Sequence, residues 1–249
     1  VRTAFGAICK QLLAFVGIEI GSHVISIGSI SSNKANASWE EITQVQNSEV
    51  LRCVDGAVEK QMVEQIEEAK RKKETLGGVF EVVAHNVLPG LGSHVHWDRK
   101  LDGRIAQAIL SVPAVKGVTI GDAFHIAQSW GSEAHDEIYY NESGFYRKTN
   151  RSGGTEGGIT TGQDLRVRAA MKPLSTLMKP LQSVDVRTKE VKEAIVERSD
   201  VCSVPAAGVV GEAMLAIVLA DALLEKFPAD TIGDLLTAFE SYKKRLSEY

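Results

Sequence analysis

Residues 197–214 read ERSDVCSVPAAGVVGEAM, which sets Arg198 and Asp200 two positions apart directly ahead of a long apolar stretch. Arg198 supplies a permanent cation whose planar fork suits a phosphate or a carboxylate. Asp200 supplies a potential proton acceptor. The structural alternative for Asp200 is that it pairs with Arg198 or caps a turn. Pro205 and Gly208 punctuate the turn into the helix that follows.

A glycine-rich run, GGTEGGITTG over 153–162, is the second feature with chemical content. Glycines let backbone N–H groups approach a ligand closely, and such loops cradle phosphate or flavin. The run lacks the Lys-Ser/Thr ending of a P-loop. A strand pattern follows it where a dinucleotide-binding fingerprint would open a helix, which disfavours a Rossmann dehydrogenase. The plainer reading of the run is a flexible hairpin connection. In that next strand, 165–171, Leu165, Val167, Ala169 and Met171 alternate with Arg166, Arg168 and Ala170, so two cations share one face. Lys172-Pro173 ends it.

His94 and His96 form His-x-His, a spacing that on a strand puts both rings on one face, as some metal sites do. No Cys pair and no HExxH helix accompanies them, so no metal is expected. His23, His85, His125 and His135 are scattered singly and read as satisfied core or surface histidines.

These residues need elements to hold them. Apolar spacing predicts a helix over 3–15, with Gly17 placed to cap its C-terminus, and a half-buried strand over 18–27. Residues 54–76 form a long surface-helix pattern with a narrow stripe of Val58, Met62, Ile66 and Ala69. Strands are expected at 79–87, 116–120 and 184–186, and a helix at 101–111. Between 124 and 162 regular periodicity gives way to polar residues, glycines and tyrosines, as in a long functional or mobile loop. The stretch 209–224 is broken by Glu212 and Asp221 and falls short of the roughly 20 apolar residues of a bilayer span, so it reads as a buried helix. A last helix starts near Asp230, which is suited to cap it. No linker divides the chain, and one α+β domain over 1–249 is expected.

With 249 residues, 44% hydrophobic and 24% charged, the chain has the composition of a soluble globular protein. A net charge of −4 and the lack of a basic block with interleaved aromatics give nucleic acid no electrostatic support. Three widely spaced cysteines, Cys9, Cys53 and Cys202, fit free thiols in a reducing compartment, hence the cytoplasm. Residues 1–16 show a helical pattern without a secretory cleavage site. They begin without Met, as though cut from a longer protein.

Residues 197–214 resemble the C-terminal signature of chorismate synthases. GGTEGGITTGQDLRVRAAMKPLSTL over 153–177 is similar to that family's segment from a glycine loop through a strand to a Lys-Pro flavin contact. Residues 89–124 resemble its central block, and 3–30 its helix and strand after a Ser-Ala-Arg-Glu-Thr motif, so matches run along nearly the whole chain. The resemblance implies a β-α-β sandwich and a reduced FMN cofactor. Pro113, Ala114, Gly157, Lys172, Pro173, Leu174, Ser175, Thr176 and Arg198 would contact the flavin, Pro113 through its carbonyl. Asp200 would be the catalytic base.

The implied reaction is that of a carbon-oxygen lyase. It is the anti-1,4-elimination of phosphate from 5-enolpyruvylshikimate 3-phosphate to chorismate, the last common step of the shikimate pathway to aromatic amino acids. A homotetramer, reducing equivalents from NADPH and a possible separate flavin reductase are implied too. The family's Gly-Glu-Ser-His-Gly, Arg-Pro-Gly-His-Ala-Asp and Ser-Ala-Arg-Glu-Thr segments, with two acid-base histidines, are not found. The chain thus matches the C-terminal two thirds, truncated at the N-terminus. A catalytically inactive flavin-binding or assembly fragment is the alternative.

Overall fold

The computed structural model describes residues 1–34, 36–48, 50–142 and 144–249. Its helices are α1 (Arg2–Ala14), α2 (Trp39–Val45), α3 (Gly56–Arg71), α4 (Leu101–Leu110), the short α5 (Ala123–Ile126) and α6 (Gly131–Ala134), α7 (Val204–Lys226) and α8 (Ile232–Ser247). Its strands are β1 (Glu19–Ile27), β2 (Ile30–Ser31), β3 (Gly78–His85), β4 (Val115–Ile120), β5 (Ile138–Asn141), β6 (Gly144–Arg147), β7 (Thr155–Glu156), β8 (Ile159–Thr160), β9 (Leu165–Met171), β10 (Gln182–Val184) and β11 (Val191–Glu193).

Five strands form one antiparallel sheet in the order β2-β1-β3-β9-β4. One face carries Phe80, Val82 and Ala84 of β3 and Leu165, Val167 and Ala169 of β9, all buried, and α7 packs across it. Helices α1 and α4 pack against α7, giving a sheet layer and a helix layer around one core that runs from Cys9 to Phe239. The opposite sheet face is polar at its centre. Strand register sets His23 beside Glu81 and Glu81 beside Arg168. Farther along this face α2 covers Val83 with Ile42.

The expected α+β class holds, and the expected helices and strands reappear with shifted ends. Gly17 stops α1 in the left-handed region (φ 78), where the Ile18 N–H returns to the Leu13 carbonyl. Helix α3 ends at Arg71 rather than 76, because Lys73 turns left-handed (φ 59) and the Glu74 N–H bonds back to the Ala69 carbonyl. Of the strand expected at 184–186, only Val184 is in a strand, as the last residue of β10, which pairs with β11 in an exposed ribbon; 185 and 186 belong to the turn between them. Thr231, not Asp230, caps α8, its hydroxyl accepting the Asp234 N–H.

Residues 124–162 hold small elements instead of an irregular loop: α5, α6 and the hairpins β5–β6 and β7–β8. Their hydrophobic period is faint because they bury little. Asp136 organises them. Its carboxylate accepts the Thr149 hydroxyl at 2.5 Å and the N–H groups of Arg151 and Ser152 at 2.9 Å.

Helix α7 begins at Val204, with Pro205 in its first turn, a place that needs no N–H donor. Gly208 therefore lies inside the helix and does not punctuate its entry. A Cβ there would meet the Ser22 Oγ at 3.0 Å, and one at Gly211 would meet Phe80 Cε2 at 2.8 Å. At 23 residues α7 is long and apolar enough to cross a membrane by composition, yet most of it is buried beneath the sheet, α1 and α4.

Candidate functional site

Strand β9 ends at Met171, and the chain after it runs between two other segments. The Lys172 N–H donates to the Ala114 carbonyl at 2.9 Å, with Ala114 itself left-handed (φ 66). The Thr75 hydroxyl donates to the Leu174 carbonyl at 2.7 Å, and the Ser199 hydroxyl to the Thr176 carbonyl at 2.7 Å. The Leu76 N–H completes the network by donating to the Val201 carbonyl at 2.8 Å. Ala114, residues 172–176 and residues 198–202 are thus gathered at one end of the sheet through backbone groups. Of their own side chains, only the Ser199 hydroxyl is spent on that gathering among the described residues.

Beside them opens a cleft of about 800 Å3, lined by Leu51, Ile66, Lys70, Thr176, Arg198 and Asp200 among others. Arg198 and Asp200 are exposed to it. Among the described residues neither makes an ion pair or a hydrogen bond, so Asp200 neither pairs with Arg198 nor caps a turn. The N-cap of α7 is Ser203, whose side chain makes no capping bond. Lys172 and Pro113 are also exposed. Burial pushes the Cys202 thiol in the cleft wall upward against the Val204 N–H, so it is protonated near neutrality and no ready nucleophile.

A family model of chorismate synthase matches residues 1–224. This chain belongs to the chorismate synthase family. It is 52% identical over 252 residues to the chorismate synthase of Solibacter usitatus (strain Ellin6076), covering 100% of this chain and 64% of that protein. To a chorismate synthase of Thermus thermophilus it is 50% identical over 250 residues, covering 100% and 65%. A solved structure described as the crystal structure of chorismate synthase superposes with a TM-score of 0.85 at 43% identity, over 100% of this chain and 69% of that one. The chain therefore spans about 65% of the length of the curated chorismate synthases it matches.

Within this family member, Gly157 stands apart from the other flavin candidates. It is an exposed left-handed residue (φ 63) in the β7–β8 turn, and the next residue, Gly158, accepts the Leu101 N–H at the start of α4. Ala114 follows the other end of that helix. Ten residues of helix span roughly 15 Å, so one copy of the chain does not bring Gly157 to Lys172.

Nothing in the residue types of Leu51, Ile66 or Lys70 marks them for the cleft. Lys70 sits in the last turn of α3, where a cation has an ordinary explanation in the helix dipole, so its type carries no signal. His23, scattered singly in the sequence, is paired in the fold. His23 Nε2 lies 3.0 Å from Glu81 Oε2, Arg168 Nε donates to Glu81 Oε1 at 2.8 Å, and Arg168 Nη1 reaches Asp122 at 2.9 Å. The two cations expected on one face of β9 thus serve a buried carboxylate. His94 and His96 lie in a bend outside any strand, with His96 Nδ1 2.7 Å from Asp98, so the pattern of two rings on one strand face is not formed. Among the described residues no three His, Cys, Asp or Glu groups converge to hold a metal.

Proposed function

We propose that this chain carries the flavin-contacting and base-bearing part of a chorismate synthase. The enzyme would eliminate phosphate from 5-enolpyruvylshikimate 3-phosphate to give chorismate. The observation that carries the reading is the couple Arg198 and Asp200 on one cleft, unpaired among the described residues, on a segment whose Ser199 hydroxyl bonds the Thr176 carbonyl of the stretch that Lys172 ties to Ala114. A core unbroken from Cys9 to Phe239 supports treating residues 1–249 as one domain.

The residues suit a phosphorylated flavin. Lys172 and Arg198 offer exposed cations, Ser175 and Thr176 offer hydroxyls, and Pro113 and Ala114 offer backbone carbonyls. Pro173 and Leu174 supply apolar surface. Gly157 lies about a helix length from Lys172, and a second copy, as in the homotetramer implied by the family, would bring it to this group. Reduced FMN, when bound, would supply electron density for phosphate departure and an acceptor for the C6 hydrogen. Arg198 holds an anionic group at the mouth of the cleft. The Asp200 carboxylate, with no partner among the described residues, is available to take a proton. The setting would be cytoplasmic, with NADPH or a separate flavin reductase as the source of electrons.

The 249 residues span about 65% of the length of these relatives, and a second reading is that this portion alone binds flavin without turnover. Anaerobic titration with FMN and then 5-enolpyruvylshikimate 3-phosphate, with phosphate release followed after photoreduction, separates the two. Phosphate release supports the enzyme. Flavin binding without release supports the inactive fragment. A chain that binds no flavin overturns the assignment of residues 172–176 and Arg198.

A further inference from the structure

Arg52 is a non-glycine residue in the left-handed region (φ 61), and its guanidinium is turned inward rather than toward solvent. Nη1 donates to Glu212 Oε1 at 2.9 Å and to the Ser22 hydroxyl at 3.1 Å. Nε and Nη2 donate to the Gln46 carbonyl at 3.1 and 2.7 Å, and Nη2 also reaches Gln46 Oε1 at 2.9 Å. Glu212, 4% exposed on α7, accepts in addition from Ser22 Oγ and from Lys10 Nζ, each at 2.6 Å.

The backbone around Arg52 is held as firmly. Its carbonyl accepts the Val24 N–H at 3.1 Å, where β1 is bulged. The N–H groups of Leu51 and Cys53 both donate to Glu59 Oε1 of α3, at 3.1 and 3.3 Å. One short loop is therefore fixed to α7 through Glu212 and to α3 through Glu59. That loop gives Leu51 to the cleft, α3 gives Ile66 and Lys70, and the first turn of α7 gives Pro205.

We propose that Arg52 and Glu212 are positioning residues for the cleft, setting how far the wall of Leu51, Ile66 and Lys70 stands from Arg198 and Asp200. The proposal rests on reading that cleft as the flavin site. A buried ion pair is a poor source of net stability, and packed apolar groups of like volume often serve as well. What apolar groups do not supply is a fork that fixes a loop at several points. Backbone held in a sparsely populated region beside a cleft is consistent with that task.

The test compares Arg52→Lys, which keeps the charge and loses the fork, with the double variant Arg52→Met/Glu212→Leu, which removes both charges and keeps volume. FMN affinity is measured anaerobically on the full 249-residue chain, with the thermal midpoint measured in parallel. Both variants should remain folded and bind FMN about tenfold more weakly, a loss that exceeds what any shift in the midpoint accounts for. Unchanged affinity in either folded variant would overturn the proposal while leaving the cleft assignment standing. A wild-type chain that binds no FMN would overturn the cleft assignment and the proposal with it. Should the double variant fail to fold, Arg52→Lys alone decides.

Discussion

The Ser199 hydroxyl donates to the Thr176 carbonyl at 2.7 Å, which ties the segment bearing Arg198 and Asp200 to the one bearing Lys172. Arg198 itself takes no part in that stitching. Arg198→Ala should therefore leave unfolding free energy within about 0.5 kcal/mol of the parent while weakening flavin or substrate binding. Urea denaturation and anaerobic flavin titration, run on the same preparation, measure both. A variant that loses its fold before binding can be compared would count against the assignment.

Close contact between α7 and the sheet sets a second expectation. A Cβ at Gly211 would meet Phe80 Cε2 at 2.8 Å and Val82 Cγ2 at 3.0 Å, two side chains at the centre of the core. Gly211→Ala should destabilise by about 1–3 kcal/mol through overpacking, although alanine is the better helix former. The denaturation midpoint is the readout, and a rise would show that the two layers separate without strain.

Acid sensitivity follows from Glu81. Burial opposes its ionisation, but His23, Arg166 and Arg168 outweigh burial and hold the carboxyl below the usual carboxylate range. A carboxyl whose pKa is lowered on folding adds stability that is present above its unfolded value of about 4.3 and is lost as pH falls through the folded value. Thermal midpoints measured from about pH 6 downward should decline in the acid range, and Glu81→Gln should start lower and decline less. An equal slope in both proteins would remove Glu81 as the cause.

Lys73 occupies a left-handed position (φ 59) one residue past the C-cap of α3. A side chain strains that conformation and glycine does not. Lys73→Gly should stabilise the chain by up to about 1 kcal/mol, net of the greater freedom glycine has when unfolded. Differential scanning calorimetry would detect the shift, and a lower midpoint would show that the lysine side chain makes up for the strain.

Elements α1, β1, β3, α4 and β9 were legible because an apolar face turned to the core imprints a period on the residues, and α7 because it is apolar nearly throughout. Helix α2 was not singled out, yet Ser38 and Glu41 spell a capping box whose two bonds both form, at 3.3 and 3.0 Å. The pairing of Arg166 and Arg168 with Glu81 was beyond reach, since the partners are more than 80 residues apart and only strand register joins them. For the same reason motif resemblance pointed to Arg198 and Asp200, while the wall facing them, from Leu51 to Lys70, carried no mark. Residues that do chemistry cluster along a chain more readily than those that enclose it.

Residues 177–198 leave the cleft as a ribbon and return to it, and both ends are pinned: Thr176 by Ser199, and Val201 by Leu76. The β10–β11 pair and its turn at 185–190, where Asp185 accepts the N–H groups of Arg187 and Thr188, stand exposed between those anchors. The tip is a natural point for protease nicking or for grafting a short peptide tag, because neither would disturb the two pins that keep Lys172 and Arg198 together.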